Sequence, residues 1–345
     1  MPPISVLMPV YNCQTFLRES IESILAQKFS DFEFIIIDDG STDGSPNIIQ
    51  EYASRDKRIQ AVRNPKNKGL IETLTIGNRY CHGEFIARMD ADDISLPDRL
   101  ELQYAYLISH PEIDVLGANS TFIDEKGNPA SFKLIEPSDS FFVWLQMFFR
   151  CSIHHPTVLA RSEVYKRFNE LGFENTFIHA EDYAFWLRVG FECKFANLDI
   201  FLVNTRSHHR QVSTQNKDIL RTNQAKAAQR AYQTMLGRKI PLDVMTSFMF
   251  HTHLKFTDTR VNQEAIRTMY SLARAYIKRY PLTSPQKKIV KDYIYDRIAA
   301  LAADHMDDRR VRLNGLVTRL ALDPVRLFSG KLASYQVGAK DEHSF

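Results

Sequence analysis

The chain has 345 residues, a formal net charge of +3 at pH 7, 44% hydrophobic residues and 25% charged residues. This length suits one large domain with an appendage, or two domains, and the ordinary composition excludes collagen-like, low-complexity and disordered classes. The small net charge gives no support for a nucleic-acid partner.

The first ninety residues alternate between continuous apolar runs and amphipathic patterns. Apolar runs predict buried strands at 4–10, 32–37, 59–62 and 85–89, and apolar residues at three- and four-residue steps predict helices at 16–29, 48–52 and 70–81. This alternation is typical of a parallel sheet with helices on both faces. In such sheets, ligands bind at the carboxyl ends of the strands.

Polar residues follow three of these strands where they end: Tyr11-Asn12, Asp38-Asp39 and Asp90-Ala91-Asp92-Asp93. Three neighbouring carboxylates raise each other's pKa and repel. A divalent cation such as Mg²⁺ or Mn²⁺ removes that repulsion. A structural alternative stays open, because Asp is a common helix N-cap and Pro97 suits a first helical turn.

The second polar strand end has its own chemistry. Asp39 offers a carboxylate that can accept the N–H of a pyrimidine ring or a ribose hydroxyl, and Tyr11 offers a flat face on which a base can stack. Helix capping is the alternative, and capping alone accounts for Asp43. No GxGxxG or GxxxxGK[ST] pattern follows a strand, which argues against a dinucleotide oxidoreductase and a P-loop enzyme.

The second half of the chain is less regular. Strands are predicted at 113–122 and 157–160, helices at 141–149 and 179–188, and only helices after about residue 215. Trp186 is interpreted as a core residue. The basic amphipathic segment from Arg309 to Lys331 indicates either an element attracted to an anionic membrane surface or a helix packed on the rest of the protein.

Cysteine usage and the start of the chain bear on location. The four cysteines are scattered without a CxxC pair, which fits neither a zinc site nor a disulfide framework. The first residues resemble no secretory leader, and no apolar run is long enough to span a bilayer. We therefore expect a reduced cytoplasmic protein whose membrane contact, if any, is peripheral and on the inner face of the plasma membrane.

Five motifs in order carry a family resemblance, at residues 5–12, 36–43, 67–70, 89–93 and 179–188. They resemble inverting glycosyltransferases of family 2, of the bacterial polysaccharide and lipopolysaccharide type, over about residues 3–215. The resemblance implies a GT-A, Rossmann-like α/β catalytic domain at 1–215 with a mostly parallel sheet. It leaves 216–345 as an α-helical extension for membrane-surface, acceptor or partner binding.

The resemblance also implies roles for nucleotide-binding and metal-binding residues. The positions that match the nucleotide site are Pro9, Tyr11, Asp38, Asp39 and Lys68. Asp90 and Asp92 match the DXD motif, whose carboxylates hold the metal and the ribose. Asp93 matches a metal ligand of some relatives, so the ligand among these three acids stays open. His208, in an Arg-x-His segment, matches a group within reach of the metal or the diphosphate.

Asp182 matches the family's catalytic base, with Glu181 as its neighbour. A carboxylate can take the proton of an acceptor hydroxyl as that hydroxyl attacks the donor sugar, while a metal neutralises the diphosphate leaving group. One base without a second nucleophilic carboxylate implies direct displacement with inversion. Acids are also favourable at a helix start for electrostatic reasons alone, so a structural role is the alternative.

The expected function is metal-dependent transfer of a sugar from a nucleoside diphosphate sugar, with UDP as the expected nucleotide. The expected acceptor is a hydroxyl of a growing glycan or a lipid-linked acceptor. One alternative is a non-catalytic sugar-nucleotide-binding scaffold of a glycan assembly complex. The other is a sugar nucleotidyltransferase, although such enzymes usually carry a Gly-rich basic loop where this chain has Tyr11-Asn12-Cys13-Gln14. The oligomeric state is left open.

Overall fold

The computed structural model describes residues 1–169, 175–209, 216–250 and 258–303. The strands are β1 (Ile4–Val10), β2 (Phe32–Asp38), β3 (Ile59–Arg63), β4 (Phe85–Arg88), β5 (Ile94–Ser95), β6 (Val115–Ile123), β7 (Pro129–Leu134), β8 (Leu159–Arg161) and β9 (Phe195–Arg206). The helices of the first part are α1 (Leu17–Leu25), α2 (Ser45–Arg55), α3 (Leu70–Asn78), α4 (Arg99–Ser109), α5 (Ser140–Gln146), α6 (Ser162–Asn169) and α7 (Glu181–Val189). Those of the last part are α8 (Lys217–Leu236), α9 (Leu242–Met249), α10 (Thr259–Arg279) and α11 (Ser284–Ala303).

The strands form one sheet in the order β3-β2-β1-β4-β8-β6-β9-β5, with β7 paired to β6. The first four strands of this order are mutually parallel, as the apolar runs predict. The sheet continues through two antiparallel pairs, β4 with β8 and β8 with β6, before the parallel pair of β6 and β9. These antiparallel pairs were not predicted from the apolar pattern of the sequence.

Several predicted bounds differ from the observed ones. The predicted helix at 70–81 ends at Asn78, and the predicted strand at 157–160 begins at Leu159 because a 3₁₀ helix, His155–Thr157, takes up its first residues. The strand β9 was not predicted at all. Its polar and charged residues interrupt the apolar pattern, and the register shifts within its pairing with β6.

Both faces of the central strands are buried, which explains their continuous apolar sequence. One face of β1 contributes Ile4, Val6, Met8 and Val10 to a core with α1, α2 and α4. The opposite face contributes Leu7 to a larger core that also holds Trp144, Trp186 and the apolar residues of α8 to α11. Trp186 is 0% exposed, so its interpretation as a core residue is confirmed.

The C-terminal helices pack directly on α5. The Trp144 Nε1–H donates to the Tyr280 hydroxyl at 2.7 Å, and the Tyr276 hydroxyl donates to the Phe141 carbonyl at 2.5 Å. On α11, the predicted apolar face is buried at Val290, Ile294, Ile298 and Leu301. The basic segment from Arg309 to Lys331 lies outside the described residues. No helix in the described ranges is long and apolar enough to cross a membrane.

Candidate active site

The carboxyl ends of β1, β2 and β4 meet at one edge of the sheet. Val10 lies opposite Asp38 in the register of β1 and β2, and Leu7 lies opposite Arg88 in the register of β1 and β4. The backbone N–H of Asp39 donates to the Val10 carbonyl at 2.8 Å. The three polar strand ends that the sequence singles out are therefore neighbours in space.

The Asp39 carboxylate is fixed by the loop that follows β3. Its Oδ1 accepts from the Asn64 side chain at 2.8 Å and from the Lys68 backbone N–H at 2.9 Å, while its Oδ2 accepts from the Gly69 backbone N–H at 2.9 Å. Asp39 is only 4% exposed. A carboxylate oxygen has two acceptor positions, so Oδ2 keeps one for a ring N–H or a ribose hydroxyl.

The Asp38 carboxylate is engaged by neighbouring groups of the protein. It is 2% exposed, accepts the Ser41 backbone N–H at 3.0 Å, and forms an ion pair with Arg63 Nε at 3.0 Å. Asp43 likewise accepts the Ser45 backbone N–H at the start of α2, at 2.9 Å, which agrees with a capping role. These two acids stabilise the turn that carries Asp39.

The other residues predicted to hold the nucleotide differ in exposure. Tyr11 is 50% exposed beside the site, and Pro9 is buried in β1 opposite Ile37. The Lys68 ammonium forms an ion pair with Glu72 at 2.7 Å. The Tyr11 ring is therefore accessible for stacking, while the Pro9 side chain is buried within the sheet.

Gly40 is required by the turn that carries Asp39. Its φ is +70°, and a Cβ at this position would lie 2.6 Å from the Lys66 carbonyl carbon. We expect Gly40→Ala to lower the free energy of unfolding by more than about 3 kcal/mol, because left-handed strain and a backbone clash add. Gly127→Ala is the control, since its φ is +84° with open space around it; its expected cost is about 1 kcal/mol. If chemical denaturation gave equal losses of unfolding free energy for the two variants, the predicted clash at Gly40 would be contradicted.

The three acids after β4 have three different partners. The Asp90 carboxylate forms an ion pair with the guanidinium of Arg88, which is 3% exposed. Asp92 Oδ2 lies 2.8 Å from His208 Nε2, and its side chain is 23% exposed. Asp93 is 2% exposed, and its Oδ1 accepts the Arg206 backbone N–H at 2.9 Å.

These partners bear on metal binding. Asp92 and His208 place a carboxylate oxygen and an imidazole nitrogen side by side, and both atom types bind divalent cations. Within the described ranges, no three His, Cys, Asp or Glu side chains are grouped so that they could hold an ion alone. The residues present thus fit a metal whose remaining ligands come from elsewhere, such as the oxygens of a diphosphate.

Arg206 connects β9 to the acidic cluster. Its Nε–H donates to the Asp92 carbonyl at 2.9 Å, and its guanidinium forms an ion pair with Glu19 and lies 4.8 Å from the Phe16 ring centroid. The Phe16 ring also packs against His208, with centroids 5.0 Å apart. Arg206 therefore holds the backbone of Asp92 and packs on the same Phe16 ring that contacts His208.

The helix α7 carries the two remaining predicted acids at its first two positions. Glu181 and Asp182 are partly buried, and Tyr183 anchors the helix by donating its hydroxyl to the Met147 carbonyl at 2.6 Å. Burial, together with the charge of Asp182, raises the pKa of Glu181 to about 7. Burial and then the charge of Asp90 raise the pKa of Asp182, while the Arg88 guanidinium lowers the pKa of both acids. The charge of Arg88 thus acts on both acids of α7, and the charge of Asp90 acts on Asp182.

The histidine pair near residue 155 belongs to the interior. The His155 ring is 8% exposed, and its centroid lies 5.8 Å from that of Trp186. His154 Nδ1 lies 2.8 Å from the Ser120 hydroxyl oxygen. Burial lowers the pKa of His154 to about 4 and that of His155 to about 3. Both rings are therefore neutral at physiological pH.

Arg88 lies in the site but was not predicted as a site residue from the sequence. The signal was present, because Arg88 is a charged residue in an otherwise apolar run, and buried arginines are rare unless paired. Arg99 gave no such signal, since it lies on an amphipathic helix. It is 0% exposed and donates to the Arg88 and Val158 carbonyls at 2.7 and 3.2 Å.

Comparisons of the sequence identify related proteins. Residues 5–166 match the model of glycosyl transferase family 2. An uncharacterized glycosyltransferase of Methanocaldococcus jannaschii is 36% identical over 218 residues, which cover 61% of this chain and 72% of that protein. The O-antigen biosynthesis glycosyltransferase WbnJ of Escherichia coli is 33% identical over 211 residues, which cover 60% and 80% of the two proteins.

Solved structures share the fold over nearly the whole chain. The crystal structure of S. aureus TarS 1–349 in complex with UDP-GlcNAc matches with a TM-score of 0.57 at 18% identity, covering 94% of this chain and 91% of that one. The mannosyltransferase PcManGT of Pyrobaculum calidifontis, in complex with GDP-Man and Mn²⁺, matches with a TM-score of 0.52 at 16% identity, covering 96% and 88%. The fold is therefore GT-A-like, with additional C-terminal helices.

Proposed function

Because the chain belongs to glycosyl transferase family 2 and is a glycosyltransferase, we propose that it transfers a sugar from a UDP-sugar to a hydroxyl acceptor, with inversion and with the help of a divalent metal. One observation carries this proposal. The fixed Asp39 carboxylate and the Asp92–His208 pair lie on one edge of the sheet, while Asp90 and Arg88 act electrostatically on the acids of α7.

In this proposal the nucleotide lies across the ends of β1 and β2. The exposed ring of Tyr11 stacks on the base, and Asp39 accepts a hydrogen bond from the ring or the ribose. Pro9, Asp38 and Lys68 shape this subsite. Asp38 does so through Ser41 and Arg63, and Lys68 through its backbone bond to Asp39.

Asp92 and His208 would hold Mn²⁺ or Mg²⁺, which neutralises the charge that develops on the diphosphate as it leaves. Asp92 is the proposed carboxylate ligand because Asp90 is paired with Arg88 and Asp93 holds the Arg206 backbone. Asp90 then orients the ribose or the donor sugar, and Asp93 fixes the end of β9. This choice reduces the candidate metal ligands among the three acids of the motif to one.

Asp182 is the proposed base, and Glu181 is its titrating neighbour. The base must be deprotonated to accept the hydroxyl proton, and a raised pKa keeps it a competent acceptor near neutral pH. No second carboxylate is needed as a nucleophile, so the displacement is direct and inverts the anomeric centre. The presence of all three acids, Asp39, Asp92 and Asp182, favours an enzyme over a non-catalytic scaffold.

The biological setting is part of the proposal. We propose an acceptor that is a growing glycan or a lipid-linked precursor of a bacterial cell-surface polysaccharide or lipopolysaccharide. The protein would act in the cytoplasm or peripherally at the inner face of the plasma membrane. Residues 1–215 would form the catalytic unit, and the helices beyond residue 216 would contact the acceptor, the membrane or a partner.

Thermal unfolding with nucleoside diphosphates tests the donor site. We expect UDP at 100 times its Kd to stabilise the protein by about 2.7 kcal/mol in the presence of Mn²⁺, and by much less in EDTA. GDP and ADP serve as controls for the base. Equal stabilisation by UDP with and without Mn²⁺ would contradict the metal role. Release of pyrophosphate from a nucleoside triphosphate would instead support a nucleotidyltransferase.

A further inference from the structure

Two neighbouring cavities border α8, the first of the C-terminal helices. The larger, about 670 Å³, is bordered by the 3₁₀ helix Asn175–Phe177, by α8 and by the segment 239–242. The smaller, about 360 Å³, lies between α7 and α8. Both volumes fall in the range of about 300–1,000 Å³ that is usual for ligand sites. Phe177 and Arg230 border both cavities.

The larger cavity is cationic. Lys226, Arg230 and Lys239 border it, and none of the other described residues that border it is acidic. The nearby Arg238 is neutralised by Glu264 at 2.9 Å, whereas Lys226 and Lys239 have no carboxylate within ion-pair distance in the described part of the chain. Positive charges around one cavity repel each other. A bound anion removes that repulsion, and phosphate oxygens accept several ammonium and guanidinium N–H groups at once.

The smaller cavity is mostly apolar. Its walls include Phe185, Leu187 and Phe191 of the α7 region, with Ala227 and Ala231 of α8 opposite them. The two alanines leave space where larger side chains would close the gap between the helices. Arg188 and Glu192 lie at its edge. A hydrocarbon chain suits such walls, because burying each CH₂ group is favourable.

Arg230 borders both the cationic cavity and the apolar cavity. Its guanidinium carbon lies 4.6 Å from the centroid of the Phe177 ring, so a charged group and an apolar face occur at the same place. A ligand that occupies both cavities must therefore be negatively charged at one end and apolar along the rest. An inorganic anion uses only the first cavity, and an uncharged lipid uses only the second.

We propose that these cavities form a binding site for an amphiphilic phosphate, with the phosphoryl group beside Lys226 and Lys239 and the hydrocarbon chain between α7 and α8. Phe177 precedes Glu181 by four residues, so their Cα atoms are at most about 14 Å apart. A sugar attached to the bound phosphate can therefore approach the acids of α7. Assignment of this ligand as the acceptor's lipid carrier rests on the proposed function; the binding itself does not.

Calorimetric titration with monomeric decyl phosphate, inorganic phosphate and decanol tests the site, in EDTA so that no metal-dependent diphosphate site contributes. We expect decyl phosphate to bind at least ten times more tightly than either inorganic phosphate or decanol. Lys226→Glu with Lys239→Glu should weaken decyl phosphate binding more than tenfold. The matched control, Lys287→Glu with Lys288→Glu on the exposed face of α11, makes the same charge change and should leave binding unaltered. Equal weakening by both double variants would overturn the proposal.

Ala184→Phe tests the chain subsite separately, since Ala184 is a partly buried wall residue of the smaller cavity. We expect it to reduce decyl phosphate binding to the level of inorganic phosphate. Thr234→Trp, at an exposed wall position, is the second variant if the first lowers the melting temperature. Unchanged decyl phosphate binding in a folded variant would refute the placement of the hydrocarbon chain between α7 and α8. Binding that persists when sugar transfer is undetectable would refute the proposed function and leave this site standing.

Discussion

Asp182→Asn is expected to reduce sugar transfer by about 10³-fold while UDP binding stays within about threefold of the wild type. A positioned general base contributes about 10²–10⁴-fold, and an amide cannot accept the proton. The proposed donor contacts lie elsewhere, on Asp39 and on the Asp92–His208 pair. Initial rates of UDP release with saturating acceptor, together with UDP titration, separate the two effects. Parallel loss of rate and of UDP affinity would show that Asp182 serves binding instead.

Glu181→Gln is the matched control on the neighbouring residue. Burial raises the pKa of both acids, and for Glu181 it reaches about 7. The proposed base Asp182 works only when deprotonated, so the transfer rate should fall as the pH falls through its raised pKa. The charge of Asp182 contributes to the raised pKa of Glu181, so Asp182 ionises while Glu181 is still neutral. Glu181→Gln should therefore leave the acid limb of the profile in place, with most of the activity retained. An inactive Glu181→Gln beside an active Asp182→Asn would exchange the two roles.

Asp92→Ala is expected to abolish the Mn²⁺-dependent stabilisation by UDP and to reduce transfer by at least about 100-fold. The substitution removes the partly exposed carboxylate that faces His208, which would leave the proposed ion one fewer protein ligand. The fold should persist, because the Arg206 side chain contacts the backbone carbonyl of Asp92 and not its side chain. Melting curves with UDP, with and without Mn²⁺, give the result directly.

Asp93→Asn is the control within the same motif. The amide keeps an oxygen that can accept the Arg206 backbone N–H, which is the contact that Asp93 Oδ1 makes. We expect the Mn²⁺ response to survive and the melting temperature to change little. If Asp93→Asn, and not Asp92→Ala, removes the Mn²⁺ response, the ligand assignment within the cluster is reversed.

The local pattern of the chain was sufficient to predict the strands and helices of the first ninety residues. The strands β1 to β4 are short apolar runs, and the helices between them have apolar residues at helical spacing, so sequence neighbours determine both. Because β1, β2 and β4 are parallel, their polar ends had to meet at one edge. The positions of Asp39 and Asp92 follow from that rule.

Contacts between distant segments could not be predicted in the same way. The strand β9 brings Arg206 to Asp92 and Glu19, and the sequence separation from Glu19 is 187 residues. Nothing near Arg206 in the sequence indicates that partner. The proposed choice of metal ligand among Asp90, Asp92 and Asp93 depends on the different partners of these acids. Those partners are Arg88, His208 and the Arg206 backbone, and they are known only from the folded structure.

The packing of the C-terminal helices on α5 has a consequence for protein engineering. Acceptor preference can be exchanged between two relatives by joining segments of their sequences. A functional chimera then requires that the junction does not disrupt the packed core of either parent. A junction near residue 215 would separate Tyr276 and Tyr280 from their hydrogen-bonding partners Phe141 and Trp144. Functional chimeras of this enzyme therefore need α5 and the C-terminal helices from the same parent, even though α5 lies within the N-terminal half of the gene.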